Sequence, residues 1–175
     1  MSATPGPRVF VVDDDPSVLK AMERVLDAAG LDVAAFDSAR AFLEAYDEDV
    51  EGCLVLDVKM PGMDGLELQD VLAAHGCTLP IVFLTGHGDI PMCARAMQHG
   101  AADFLTKPAD AGLLIAAIGK AFGTSRRAHE ERAAKVAIEQ RLRLLTLRER
   151  QVLEHLIGGK LNKQVAADLG TVEKT

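Results

Sequence analysis

The sequence predicts an α/β fold, a doubly wound five-stranded parallel sheet, followed by a helical linker and an all-α helix-turn-helix segment. Three observations carry that prediction. Short apolar runs alternate with helix-period stretches over the first 123 residues, and strands that are apolar on both faces belong to parallel sheets covered by helices. Glycines follow the periodic stretches at positions 30, 76, 100 and 123, as residues that end helices do. The charge then reverses: residues 1–123 hold 8 Lys+Arg against 19 Asp+Glu, a net −11, whereas residues 124–175 hold 11 against 7, a net +4, together the −7 of the chain. An acidic body with a basic tail points to two jobs on one chain.

The strands are read at Val9–Val12, Val33–Phe36, Cys53–Leu56, Ile81–Leu84 and Asp103–Leu105. The first helix is the clearest between them. Asp15 is placed to cap it, Pro16 takes its first position, Val18, Leu19, Met22, Val25, Leu26 and Ala29 form one stripe, and Gly30 ends it. Five βα units of this length make a doubly wound sandwich. From Ser125 to about Leu145 the pattern becomes a charged helix with a thin apolar edge of Ala134, Ile138, Leu142 and Leu145, read as a linker over 124–145. Thr146 and Glu149 form a capping box that opens a helix to Ile157, stopped by Gly158. A short helix over Lys163–Leu169 and a turn at Gly170 complete a helix-turn-helix pattern in 146–175.

Composition excludes several classes. At 175 residues, 49% hydrophobic and 26% charged, the chain is neither collagen-like nor wholly disordered. The apolar run Leu113 to Ile118 is too short to span a bilayer, and the N-terminus has no basic region followed by an apolar stretch, so a cytoplasmic protein without a membrane partner is expected. Cys53, Cys77 and Cys93 are odd in number and widely spaced, which fits neither a disulfide framework nor a zinc site.

In an open parallel sheet, functional groups gather at the carboxyl ends of the strands. Asp13, Asp14 and Asp15 follow the first strand, Asp57 the third, Thr85 the fourth and Lys107 the fifth. Carboxylates so gathered repel unless a hard cation neutralises them, and Mg²⁺, with its preference for one or two carboxylates plus water and phosphate oxygens, is the natural guest. Asp15 alone is explained as a helix cap. The combination of the cluster with Lys107-Pro108 asks for more.

The segments VFVVDDDP, LVLDVKMPGMDG, FLTGHGDI and DFLTKP resemble the phosphoacceptor receiver domain of two-component response regulators. LTLRERQVLEHLIGGKLNKQVAADLG resembles the start of the LuxR-type helix-turn-helix attached to it. The whole is similar to the NarL/FixJ family, with GHGD leaning to the FixJ branch. The resemblance implies a flavodoxin-like receiver over 1–123 and, in 146–175, a DNA-binding domain cut off at the start of its recognition helix. It also implies that Asp57 accepts a phosphoryl group from a sensor histidine kinase. Asp13, Asp14, Asp57 and the backbone carbonyl of Lys59 would hold Mg²⁺, Thr85 and Lys107 the phosphate, and Thr85 with Phe104 would act as the switch. Lys107-Pro108 is expected to be cis.

The helix from Ile90 to Gln98 is apolar around most of its circumference, and Arg95 is its single charge. One face must pack on the sheet; the other either adds core packing or meets a partner. Pairing in the family through this region implies a homodimer on phosphorylation, with Ile90, Cys93, Ala94 and Met97 on its face. Lys160, Lys163 and Lys174 are expected to touch DNA phosphates weakly, while DNA recognition belongs to the full-length architecture. The chain is not expected to be an enzyme beyond self-phosphorylation from small phosphodonors and autodephosphorylation. Two alternatives stand beside this reading: a receiver acting through protein contacts alone, and an aspartate-nucleophile phosphatase suggested by Asp13-x-Asp15.

Overall fold

In the computed structural model, which describes residues 6–47, 50–86 and 90–157 (the side chain of Leu156 apart), the chain divides into two compact units, Met1–His129 and Glu130–Thr175. The first alternates β1 (Arg8–Val12), α1 (Pro16–Ala28), β2 (Asp32–Phe36), α2 (Ala39–Ala45), β3 (Gly52–Leu56), α3 (Gly65–Ala74), β4 (Ile81–Thr85), α4 (Ile90–Gln98) and β5 (Asp103–Thr106). Helix α5 (Ala111–Leu144) follows, and α6 (Leu147–Ile157) lies in the second unit.

The five strands are parallel, in the order β2-β1-β3-β4-β5. Their side chains alternate strictly between the two faces. Phe10, Val12, Leu54, Leu56, Ile81 and Phe83 pack with Ala39 and Phe42 of α2, Leu66, Leu68 and Leu72 of α3, and Ala96 of α4. Val9, Val11, Cys53, Val55, Val82 and Leu84 pack on the other side with Met22 and Leu26 of α1 and Leu114, Ala117, Ile118 and Ala121 of α5. This is the period of two that puts neighbouring strand residues on opposite faces. Both faces are apolar because both are covered, so β3 and β4 are buried along their whole length while the edge strands β2 and β5 are only partly buried. Under the first face, Phe10, Phe36, Phe42 and the single tyrosine, Tyr46, form a ring cluster in which Phe42 and Tyr46 stack with centroids 5.1 Å apart.

Capping follows the sequence. Asp15 accepts from Ser17 N at 2.8 Å, and Asp64 with Glu67 forms a reciprocal capping box at α3. Thr146 and Glu149 do the same at α6, with Thr146 N donating to Glu149 at 2.8 Å. Gly30, Gly76 and Gly100 take positive φ at helix ends, the conformation that favours glycine.

One expectation is revised. Gly123 ends no helix: α5 runs without interruption from Ala111 to Leu144, so the last receiver helix and the charged stretch are one element. An interior glycine costs only about 1 kcal/mol relative to alanine. That is offset where Ala121 packs at 1% exposure and the buried Ser125 hydroxyl accepts from Gly52 N at 3.1 Å.

Helix α4 is thinly seated, with Ala96 its only buried residue. Two neighbouring residues of α3 reach its C-terminal end. Gln69 Nε2 donates to the carbonyls of Ala96 and His99 at 3.1 and 3.3 Å, and Asp70 binds Arg95 at 2.9 Å and His99 at 2.7 Å.

Candidate functional site

The strand register brings the acidic residues together. β1 and β3 are neighbours with Val12 opposite Leu56, so the residues that follow, Asp13 and Asp57, leave the sheet side by side. The Asp57 N–H donates to Val12 O at 2.9 Å and closes that junction. Asp13 and Asp57 are buried at 3% and 8% exposure, Asp14 is exposed, and one carboxylate oxygen from each lies within 4.8 Å of the others. From the far side, Lys107 reaches in. Its ammonium bonds Asp13 Oδ2 and stands 3.5 Å from Asp57 Oδ1. Lys107 is placed by its own N–H, which donates to Thr85 O at 2.8 Å; its peptide bond to Pro108 is cis. Thr85, at the carboxyl end of β4, is buried at 1% exposure. Asp13, Asp14, Asp57, Thr85 and Lys107 thus share one rim of the sheet.

Electrostatically the site is unbalanced. Burial pushes the Asp57 carboxyl above its ordinary value, Lys107 opposes that shift, and Asp13 adds to it. The Val58 backbone and the Thr85 hydroxyl act in the same sense as Lys107. Asp57 Oδ1 has no hydrogen-bond partner among the described residues. Buried polar atoms are ordinarily paired, and an orphaned one at a functional site marks an incomplete constellation. Together the Asp13, Asp14 and Asp57 carboxylates fit a hard divalent cation with oxygen ligands, and Mg²⁺ meets that description.

The same geometry bears on Asp13-x-Asp15. Asp13 Oδ1 accepts from Asp15 N at 3.0 Å, its other oxygen is held by Lys107, and the Asp15 carboxylate caps α1. Both carboxylates of that pair are committed, whereas Asp57 Oδ1 has the Lys107 ammonium at 3.5 Å and no hydrogen-bond partner among the described residues.

The remaining residues lie around this centre. Lys59 follows Asp57 by two positions in the β3–α3 loop, with its side chain exposed. Phe104 on β5 is half-buried and faces Phe83 at a centroid distance of 6.0 Å. On α4, Ile90 and Met97 are 86% and 45% exposed, Ala94 is exposed and Cys93 half-buried. The short helix over Lys163–Leu169, Gly170, and Lys160, Lys163 and Lys174 lie outside the described residues, as do Gly158 and His87.

Sequence reasoning missed Gly65. A Cβ there would stand 2.2 Å from the Asp57 carbonyl oxygen, and the Gly65 N–H donates to Val58 O at 2.8 Å. The start of α3 therefore presses against the backbone of the central aspartate. A glycine directly after the helix cap Asp64 is the local signal that could have found it.

The similarities agree with this geometry. The family model described as response regulator receiver domain matches residues 9–119, and that of the bacterial regulatory proteins, luxR family, matches residues 143–175. The chain belongs to the response regulators, with a receiver domain and a LuxR-type DNA-binding region. Among its relatives, it is 43% identical over 167 residues to the transcriptional regulatory protein FixJ of Azorhizobium caulinodans, covering 95% of this chain and 79% of that one. It is equally identical to nodulation protein W of Bradyrhizobium diazoefficiens, covering 74% of the latter. Among solved structures, response regulator StyR superposes with a TM-score of 0.85 at 46% identity, over 95% of this chain and 84% of that one. Full-length FixJ from B. japonicum gives 0.65 at 39% identity, over 97% and 83%.

Proposed function

We propose that the chain receives a phosphoryl group on Asp57 from a sensor histidine kinase and, so modified, dimerises to control transcription. The observation that carries the reading is the buried Asp57 oxygen without a hydrogen-bond partner among the described residues, 3.5 Å from the Lys107 ammonium and beside Asp13 and Asp14. The Asp57 carboxylate attacks phosphorus as the bond from phosphorus to the nitrogen of the donor's phosphoimidazolium breaks; the other ring nitrogen already carries a proton, so neutral imidazole leaves and an acyl phosphate remains on Asp57. Phosphoryl transfer asks a protein for positioning and charge stabilisation more than for covalent help. Mg²⁺ held by Asp13, Asp14, Asp57 and the Lys59 carbonyl would supply positive charge against the transferred oxygens. Lys107 neutralises from the opposite side. The product carries about two negative charges, toward which the Thr85 hydroxyl moves and donates. Phe104 turns into the space that Thr85 vacates. An apolar groove of about 500 Å³, lined by Val18, Met22, Leu84, Pro108 and Leu114, opens beside Lys107 and offers the kinase a seat next to the acceptor.

Intact-mass spectrometry after incubation with Mg²⁺ and acetyl phosphate tests the assignment. One base-labile phosphoryl group is expected on the parent and none on Asp57→Asn, with labelling much reduced in Asp14→Ala or without Mg²⁺. Undiminished labelling of Asp57→Asn would falsify the assignment.

A further inference from the structure

Helix α3 links two places that the proposed function treats separately. Its first residue, Gly65, presses on the Asp57 carbonyl and donates its N–H to Val58 O. One turn later, Gln69 enters the core at 3% exposure and grips the far end of α4. The amide orientation is settled by its surroundings: Nε2 faces the carbonyls of Ala96 and His99, which only a donor can satisfy. Those carbonyls belong to the turn that carries the chain from α4 to β5. Within it, Ala101 N donates to the same Ala96 oxygen at 3.0 Å, Gly100 takes φ +87°, and Ala102 N donates to Ile81 O at 2.7 Å just before β5. On one side of that turn is the helix with exposed Ile90 and Met97; on the other, two residues past Ala102, is Phe104.

The amide is only half satisfied. Its Oε1 is buried and has no hydrogen-bond partner among the described residues. A buried acceptor left unpaired costs free energy that offsets what the two Nε2 bonds return, so Gln69 adds little net stability. It adds position instead: directional bonds to two carbonyls fix one placement of a helix that a single buried alanine cannot fix. We propose that Gln69 is the positioning residue that holds the α4–β5 turn in the unphosphorylated arrangement, and that the switch proceeds by giving up its two bonds. The inference rests on the proposed function and adds to it a second route from acceptor to dimer face, through α3 rather than through Thr85 and Phe104. A side chain that favours one of two arrangements shifts their ratio by its differential interaction with them. Removing the Nε2 donor should therefore raise the share of the activated arrangement before any phosphoryl group arrives.

The test is Gln69→Met, which keeps the reach and volume of the side chain and deletes the donor, with Gln69→Leu as a second variant. Both are compared with the parent as whole chains, with and without beryllofluoride and Mg²⁺. In heteronuclear NMR, the amides of Gly100, Ala101 and Ala102 in the free variants should lie part-way along the path that beryllofluoride drives them in the parent. In light scattering, the dimer of the free variants should be about fivefold to tenfold tighter than that of the free parent, with no difference once beryllofluoride is saturating. The urea midpoint should stay near the parent's. Turn amides of both variants at the parent's free positions would overturn the inference, as would displaced amides with an unchanged dimer constant. A lower midpoint without displaced amides, the mark of a residue that only fills space, would overturn it too. A parent whose amides ignore beryllofluoride would sink the acceptor assignment along with it, whereas a responding parent beside unmoved variants sinks this inference alone.

Discussion

Asp57 is where burial and chemistry conflict. Its carboxyl is pushed up by desolvation and by Asp13, and its nearer oxygen stands 3.5 Å from a lysine whose closer partner is Asp13. Replacing it by asparagine removes the desolvated charge and the repulsion from Asp13 while leaving the Lys107–Asp13 bond intact. Asp57→Asn should therefore raise the melting temperature of the Mg²⁺-free protein by a few degrees in calorimetry, even as it abolishes phosphorylation. Gly65 works in the opposite direction. With the Asp57 carbonyl 2.2 Å from any Cβ, Gly65→Ala forces backbone to shift at the proposed acceptor. An overpacked position of this kind costs about 1–3 kcal/mol, and both denaturant midpoint and labelling by acetyl phosphate should fall. The acidic cluster and Lys107 were legible in the sequence because strand ends place residues by counting. Gly65 was not, because its role depends on an approach between segments that no spacing reveals.

At the scale of elements, α4 is held by hydrogen bonds more than by burial. The Asp70 carboxyl is kept below its ordinary value first by His99 and then by Arg95. A carboxyl so lowered contributes stability above its unfolded value of 3.8, and that contribution is lost as pH falls through the lower folded value. Asp70→Asn should thus speed hydrogen exchange of α4 amides at neutral pH, the difference from the parent shrinking below pH 3.8. A variant that exchanges like the parent at neutral pH would mean that Gln69 alone suffices to hold the helix end. The fate of α4 could not be read from periodicity. Its apolar circumference fits a buried helix and an exposed one equally, and only the neighbours Gln69 and Asp70 show how lightly it sits. The α5 boundary was misread for a related reason: glycine is a weak stop when packing on both sides of it continues, as Ala121 and Ser125 do around Gly123.

At the scale of the molecule, exposed Ile90, Ala94 and Met97 follow one another at helical spacing on the lightly held helix. Under the proposed function this face is covered by a second copy once Asp57 is modified. Beryllofluoride with Mg²⁺ should shift the protein from monomer to dimer in light scattering, and Met97→Glu should weaken the dimer at least tenfold by placing like charges across the interface. If Met97→Glu pairs as well as the parent, another face is used. The alternating strands and the capped helices made the receiver architecture legible from the sequence, since each reports a local rule. The partner surface is a matter of which apolar residues the tertiary fold leaves uncovered, and that is settled only once the sheet has claimed its share.

The aromatic content of the chain has an optical consequence. There is no tryptophan, and the single tyrosine is stacked on Phe42 beneath the sheet, with Phe10 edge-on to it. Intrinsic emission therefore reports on the packing of α2. A fluorophore placed at Phe104, half-buried against Phe83, would be the sole indole in the molecule and would sit where the side chain is proposed to turn. Phe104→Trp should change its emission maximum when beryllofluoride and Mg²⁺ are added and stay unchanged in the same titration of Phe104→Trp combined with Asp57→Asn, making the protein its own real-time meter of phosphorylation.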